Sequence, residues 1–394
     1  MKTLFKITVL MLITSFQVYA QTETETETEI LYSKSYETNQ STTALLEFRG
    51  SSVEIYKSPD DKFHIEYIIE FINYPNRKKK EARERVNIES DLVNNQITLV
   101  DKSKFSMYRF YQSETITGTL DLRNESEIKS YLYKSEKQVV NEINKAKKPV
   151  SLYAKYIQSA NRYSESEKKE MIEKSNNRKR KKYVKRFTIK VPSHLDLTIN
   201  SKASTIRIQE KIENQITLRA DGGTVYLNEI NNIRNIIKIK DATLIVNSIN
   251  GGEVILDNSK RTIIGELKNV KLNSEFSQLE IGLINKNVEI TDFTSKYLIH
   301  NFSKDFEALD MNTEYSEVNL FLPRNGGYEL TTFGNYTKHF VENKLVEVSA
   351  EKTNGNTKML DLNSKENDGK LSAIKVNTAN GIIRISKDVI NFGE

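Results

Sequence analysis

The chain has 394 residues, with 59 Lys plus Arg against 53 Asp plus Glu and a formal net charge of +6. It contains no Cys, which excludes disulfides, thiolate metal sites and lipid attachment through an N-terminal Cys. The charge excess is small for this length and unevenly placed, so it is a local feature and argues against a nucleic-acid-binding protein.

Residues 1–20 read as a secretory signal. Lys2 and Lys6 flank the start of a mostly apolar stretch, and Val18-Tyr19-Ala20 ends on a small residue after which cleavage is expected. That apolar core is shorter than the ~20 residues of an ordinary membrane span. No later stretch is long and apolar enough, so the mature chain is expected to have no transmembrane segment. It should be exported, to the periplasm, the outer membrane or the cell surface. Residues 21–29 alternate Thr and Glu without an apolar residue and read as a low-complexity spacer.

From 30 to 101 an N-terminal β portion is expected. Residues 44–48, 52–56 and 63–71 alternate apolar and polar side chains, separated by Arg49-Gly50-Ser51 and Ser58-Pro59-Asp60-Asp61 turns. Residues 76–86 favour a helix, and 97–100 another strand. Residues 102–186 break the rhythm and read as a helical basic insertion. Ile128, Tyr131, Leu132, Val139 and Ile143 keep helical spacing. Ser164-Glu165-Ser166-Glu167 is a capping-box pattern opening a polar helix.

The β rhythm resumes at 187 and runs to 323 as a short repeated unit. Pairs such as Ile206 and Ile208, Val225 and Leu227, Leu244 and Val246, Leu279 and Ile281, and Val318 and Leu320 recur every 17 to 21 residues. Alternation at that period predicts a mainly β fold, a parallel β-solenoid or β-helix interrupted by the helical insertion. Ile208, Leu227, Val246, Leu267 and Ile281 should point inward, and Arg207, Tyr226, Glu280 and Asn319 should form a wet outer face. Asp221-Gly222-Gly223 and Asn250-Gly251-Gly252 are corners where Gly permits positive φ. Residues 324–394 read as a C-terminal β cap.

These features resemble the adhesin-like β-solenoid proteins of bacterial cell envelopes, related to auto-transporter adhesin head domains. The likeness lies in a signal peptide, an opening strand pair around Leu45 to Phe48 and Val53 to Ile55, and a strand ending at Pro192 before the repeats. It covers most of the mature chain except roughly 102–186. The usual turn of that family has Gly before the second dash; here Ser204, Ser277 and Ser316 stand in or near that place. The resemblance implies the fold and an envelope location.

No catalytic, metal or cofactor signature emerges. His64, His194, His300 and His339 stand singly, without the spacing of a metal site. Asp221, Asp241, Asp257 and Asp292 lie in or near successive turns, where they could form a carboxylate site or simply close turns. The densest polar feature is the run Arg178, Lys179, Arg180, Lys181, Lys182, Lys185 and Arg186. It could hold an anionic envelope polymer, a lipid surface or a polysaccharide, or be a solvated helix end. The expected function is therefore a non-enzymatic scaffold or adhesion role. The alternative is a carbohydrate-active β-helix enzyme or a polysaccharide-binding protein, which convergent carboxylates beside exposed Tyr side chains would favour.

Overall fold

The computed structural model describes residues 26–103, 182–322, 328–341, 346–364 and 372–387. The signal segment and the proposed helix near Glu165 lie outside them. Within the described residues the protein is mainly β. Twenty-three strands join one hydrogen-bonded sheet, accompanied by a single helix, α1 (Asn76–Glu84).

Pairing within the sheet follows two tracks. The first runs β6 (Gln96–Asp101), β2 (Thr43–Arg49), β8 (Asp196–Ile208), β9 (Ile216–Asn231), β10 (Ile236–Lys240), β12 (Glu253–Asp257), β13 (Arg261–Glu275), β14 (Gln278–Phe293) and β16 (Ala308–Glu314), parallel throughout. The second runs β7 (Lys182–Val191), β3 (Ser52–Lys57), β8, β9, β11 (Thr243–Asn250), β13, β14, β15 (Lys296–Phe302) and β17 (Glu317–Leu322), also parallel. Strands β8, β9, β13 and β14 belong to both tracks. One consequence is a closed ring of parallel pairings, β9–β10–β12–β13–β11, with the other strands outside it.

The register explains the sequence period. Leu227 pairs with Val246, Val246 with Ile264, Ile264 with Ile281, and Ile281 with Ile299. Each side chain therefore stacks on its counterpart one repeat away, and all of them are buried. Ile208, Leu227, Val246, Leu267 and Ile281 are buried as expected. Leu267 sits in a neighbouring column, however, between Ile249 and Ile284. At one end the core is aromatic, with the Phe187 ring 4.6 Å from Tyr67 and 5.1 Å from Phe48.

The outer face differs from expectation. Tyr226, Ile245, Ile263, Glu280, Leu298 and Asn319 form one row across the second track, and all six are buried. Three of the six are aliphatic, so the row is not wet. Its polar members are engaged: the Arg207 guanidinium lies 4.2 Å over the Tyr226 ring, Glu280 bonds His300 at 2.7 Å, and Asn319 donates to the Tyr297 carbonyl at 3.0 Å. Arg207 alone of the named four is not buried.

Both ends of the tracks are finished by antiparallel strands. β1 (Thr26–Glu37) pairs with β4 (Lys62–Ile72), which pairs with β7, and β5 (Ile88–Val93) pairs with β6. Thr26 to Glu29, read from the sequence as spacer, open β1. Glu27 and Glu29 are taken up by Lys79 and Arg83 of α1, with Arg83 Nε 2.6 Å from Glu29. These charges on an edge strand oppose pairing with another chain.

At the other end, β22 (Ser372–Ala379) and β23 (Ile382–Lys387) pair in parallel with β16 and β17. On their far side lie β18 (Tyr328–Asn335) and β19 (Lys338–Val341), again parallel. The strand pair that comes later in the chain therefore sits between two earlier ones. β21 (Thr357–Ser364) pairs antiparallel with β18, and β20 (Val346–Asn354) pairs antiparallel with β21, closing this end.

Candidate functional site: an aromatic corner

Each time the chain passes from the first track to the second it turns at a residue with positive φ, joined by a second one only at Gly223. Gly50, Ala203, Gly222, Asp241 and Asn258 occupy this place with φ between 49° and 72°. The residue that follows is Ser51, Ser204, Gly223, Ala242 and Ser259 in turn. The kink interrupts the backbone ladder, and a serine of the next repeat replaces the lost acceptor. Ser259 N donates to Ser277 Oγ at 3.0 Å, Ser277 N to Ser295 Oγ at 3.0 Å, and Ser295 N to Ser316 Oγ at 3.2 Å. Ser51 N donates to Ser204 Oγ and Gly381 N to Thr337 Oγ1, both at 3.3 Å.

Beyond Asn258 the occupants of the turn change. Phe276 (φ 47°), Thr294 (60°), Tyr315 (53°) and Tyr336 (52°) adopt the left-handed conformation, with Asn380 (55°) between the last two in space. Gly, Asn and Asp enter this region readily, whereas bulky and β-branched side chains do so at a cost of roughly 1–2 kcal/mol. The rings face water: Phe276 is 53% exposed, Phe293 39%, Tyr315 55% and Tyr336 65%. Phe293, the last residue of β14, links its neighbours edge to face, 5.6 Å from Phe276 and 5.9 Å from Tyr315.

Beside these rings runs an open groove of about 340 Å³, lined by Phe276, Gln278, Thr294, Lys296, Tyr315 and Glu317 among others. Its charges are compensated. Lys296 Nζ bonds Glu317 at 2.8 Å, and Arg384 binds the other oxygen of the same carboxylate. Partial burial works against ionisation of Glu317, but Lys296 and Arg384 prevail and hold its pKa below the ordinary value. A carboxylate with a lowered folded-state pKa stabilises the fold above its unfolded pKa, about 4.3. That contribution fades as the pH falls through the folded value. The difference in urea midpoint between the wild type and Glu317→Gln should therefore be present at pH 7 and shrink progressively below about pH 4.5. A difference that stays constant down to pH 2.5 would remove the ion pair as its cause.

Beneath the corner lies a buried polar node. The Asp292 carboxylate accepts from the Ser274 and Ser316 hydroxyls and from Ser295 N at 3.2 Å. Ser274 also bonds the Tyr297 hydroxyl. Burial, reinforced by the neighbouring Asp292, pushes the Tyr297 phenol well above its ordinary range, so it stays a neutral donor. Asp101 occupies the same inward column at the opposite end, where it accepts from the Ser51 hydroxyl and from Ser103 N at 3.0 Å.

The residues singled out from the sequence are dispersed. Arg178, Lys179, Arg180 and Lys181 lie outside the described residues, and Lys182 opens β7. Lys185 is buried, which lowers its pKa, and Arg186 reaches Glu70 at 3.4 Å. Of the four turn aspartates, Asp292 is internal. The other three pair separately along the corner: Asp221 with Lys202 (3.8 Å), Asp257 with Lys240 (3.0 Å) and Asp241 with Asn258. His64 contacts Asp60 at 2.8 Å and holds that carboxyl down to about 2. His194 meets Thr38 at 3.0 Å, and His300 meets Glu280. Among the described residues no three His, Asp or Glu side chains gather as metal ligands, and no helix is long and apolar enough to cross a membrane.

The aromatic corner itself escaped the sequence reading. Its signal is the doublet of any residue plus a hydroxyl before most of the second dashes: Ala203-Ser204, Asn258-Ser259, Phe276-Ser277, Thr294-Ser295, Tyr315-Ser316 and Tyr336-Thr337. Aligned this way, the change from small residues to aromatic ones becomes visible.

No family model matches the chain, and no curated protein is similar to it. Among solved structures, a Clostridium sporogenes protein described as a candidate cell adhesion protein aligns at 12% identity. The alignment covers 93% of this chain and 100% of that one, with a TM-score of 0.18. At that score the likeness carries no argument about fold or role.

Proposed function

We propose that this chain is a parallel β-solenoid exported to the cell envelope or surface, where it acts without catalysis as a scaffold or adhesive element. Its aromatic corner is the contact surface. The solenoid reading is supported by the alternation of the chain between two parallel tracks, with residues 17 to 21 positions apart paired in register. The exposed rings at Phe276, Phe293, Tyr315 and Tyr336 carry the contact reading. Stacked strands fix their backbone, so the surface is ordered before any partner arrives and little further entropy is lost on contact.

Fractionation of producing cells, followed by protease treatment of intact cells, tests the location. The chain should appear in the envelope fraction; confinement to the cytoplasm would sink the reading. Incubation of purified protein with envelope polysaccharides tests the absence of catalysis, and release of new reducing ends would move the chain to the carbohydrate-active class.

A further inference from the structure

The corner position offers an internal comparison. The same left-handed turn, with φ between 47° and 72°, is filled by Gly50, Ala203, Gly222, Asp241 and Asn258 along one half of the molecule and by Phe276, Thr294, Tyr315, Asn380 and Tyr336 along the other. Backbone geometry is shared, so it does not call for aromatic rings. Asn would satisfy the turn with less strain and no exposed apolar surface. The rings therefore sit on a backbone that Asn would hold with less strain, and a groove runs beside them.

We propose that this corner binds a neutral carbohydrate polymer laid along the direction in which the strands stack, with pyranose rings resting against the aromatic side chains. The inference rests on the surface-contact reading above and adds the ligand class. Three observations favour it. First, Phe276, Tyr315 and Tyr336 stand in one file at every second repeat, with Thr294 and Asn380 between them. Phe276 and Tyr315 are two repeats apart, about 10 Å by strand spacing, comparable to a disaccharide unit. Second, polar side chains that can meet sugar hydroxyls, Gln278, Thr294, Lys296 and Glu317, line the same groove. Third, the two charged side chains that line the groove, Lys296 and Glu317, pair with each other at 2.8 Å, so the groove offers no row of unpaired cations to a polyanion.

The test uses the full chain in native gels cast with soluble neutral polysaccharides: a hydroxyethyl cellulose, a xylan and a mannan. At least one should retard the wild type, and the retardation should persist in 0.5 M NaCl because stacking is not screened. The variant carrying Phe276→Asn and Tyr315→Asn should lose about tenfold or more in affinity, while its thermal midpoint stays equal or rises. Asn258 and Asn380 already occupy this turn, so loss of fold is not expected to confuse the result. Ile233→Ala, an exposed change away from the corner, should bind like the wild type.

Retained binding in the double variant overturns the site. Binding that disappears in 0.5 M NaCl overturns the neutral ligand. If no polysaccharide retards the wild type yet its retention on envelope sheets is lost in the double variant, the carbohydrate class falls and the contact reading stands. If envelope retention is equal in the two, both fall.

Discussion

Asp292→Ala is expected to lower folding stability by about 4 kcal/mol. The carboxylate is the common acceptor for Ser274, Ser316 and Ser295 N. Hydrogen bonds to a charged group contribute about 1.5–3 kcal/mol each, and the donors that lose Asp292 fall back on weaker neutral partners, Ser295 N on Ser316 Oγ and Ser316 Oγ on the Glu314 carbonyl. The losses are not additive, because the vacated space permits some repacking or entry of water. Asp292→Asn keeps one acceptor oxygen and most of the volume, so it should cost about 1–2 kcal/mol. Urea unfolding followed by circular dichroism measures both, since the chain has no Trp to report by fluorescence. Equal midpoints for the Ala variant and the wild type would show that the node is solvated and not a structural tie.

Gly223→Ala should cost about 3 kcal/mol or more through the backbone alone. Gly223 sits at φ +84°, and an added Cβ would lie 2.1 Å from the Ser204 carbonyl oxygen and 2.7 Å from its nitrogen. Neither atom can swing away as a side chain can, since Ser204 and Gly223 face each other in the paired strands β8 and β9. The expected outcome is a lower urea midpoint together with faster amide exchange in β8 and β9. Gly355→Ala is the control: its added Cβ meets nothing within 4 Å, so only its positive φ of 57° is penalised. A Gly223→Ala midpoint no lower than that of the Gly355 variant would contradict the close approach.

Much of this architecture was legible because strand alternation and a fixed repeat are properties of the sequence itself. Val225 and Leu227, and Leu244 and Val246, announce both the strands and the columns in which they stack. The glycine corner at 222–223 was readable for the same reason: few other residues accept that backbone. What alternation cannot tell is whether the opposite face is wet. Tyr226, Glu280 and Asn319 point away from the inner columns and yet are buried, engaged by Arg207, His300 and the Tyr297 carbonyl. Nor does spacing give spatial order. Leu320 pairs with Ile385, 65 positions on, and the intervening strands β18 and β19 lie one step further out. The candidate site was hidden because its defining property is a backbone angle. Phe276 and Tyr315 look like ordinary strand-end aromatics until their φ values align them with Asn258 and Gly222.

The late insertion of β22 and β23 has a consequence in time. A chain emerging in order from its start has completed β16 to β19 before residues 372–387 exist. At that moment a slot one strand wide separates β16 and β17 from the positions that β18 and β19 will take, and no correct neighbour is yet available to fill it. Four strand edges are then left with open hydrogen-bonding groups, the condition that invites another chain to pair. The hazard lasts until the final segment arrives. Any pause in synthesis between residues 341 and 372 prolongs it, so the pace of delivery, as well as the sequence, determines whether the molecule closes on itself.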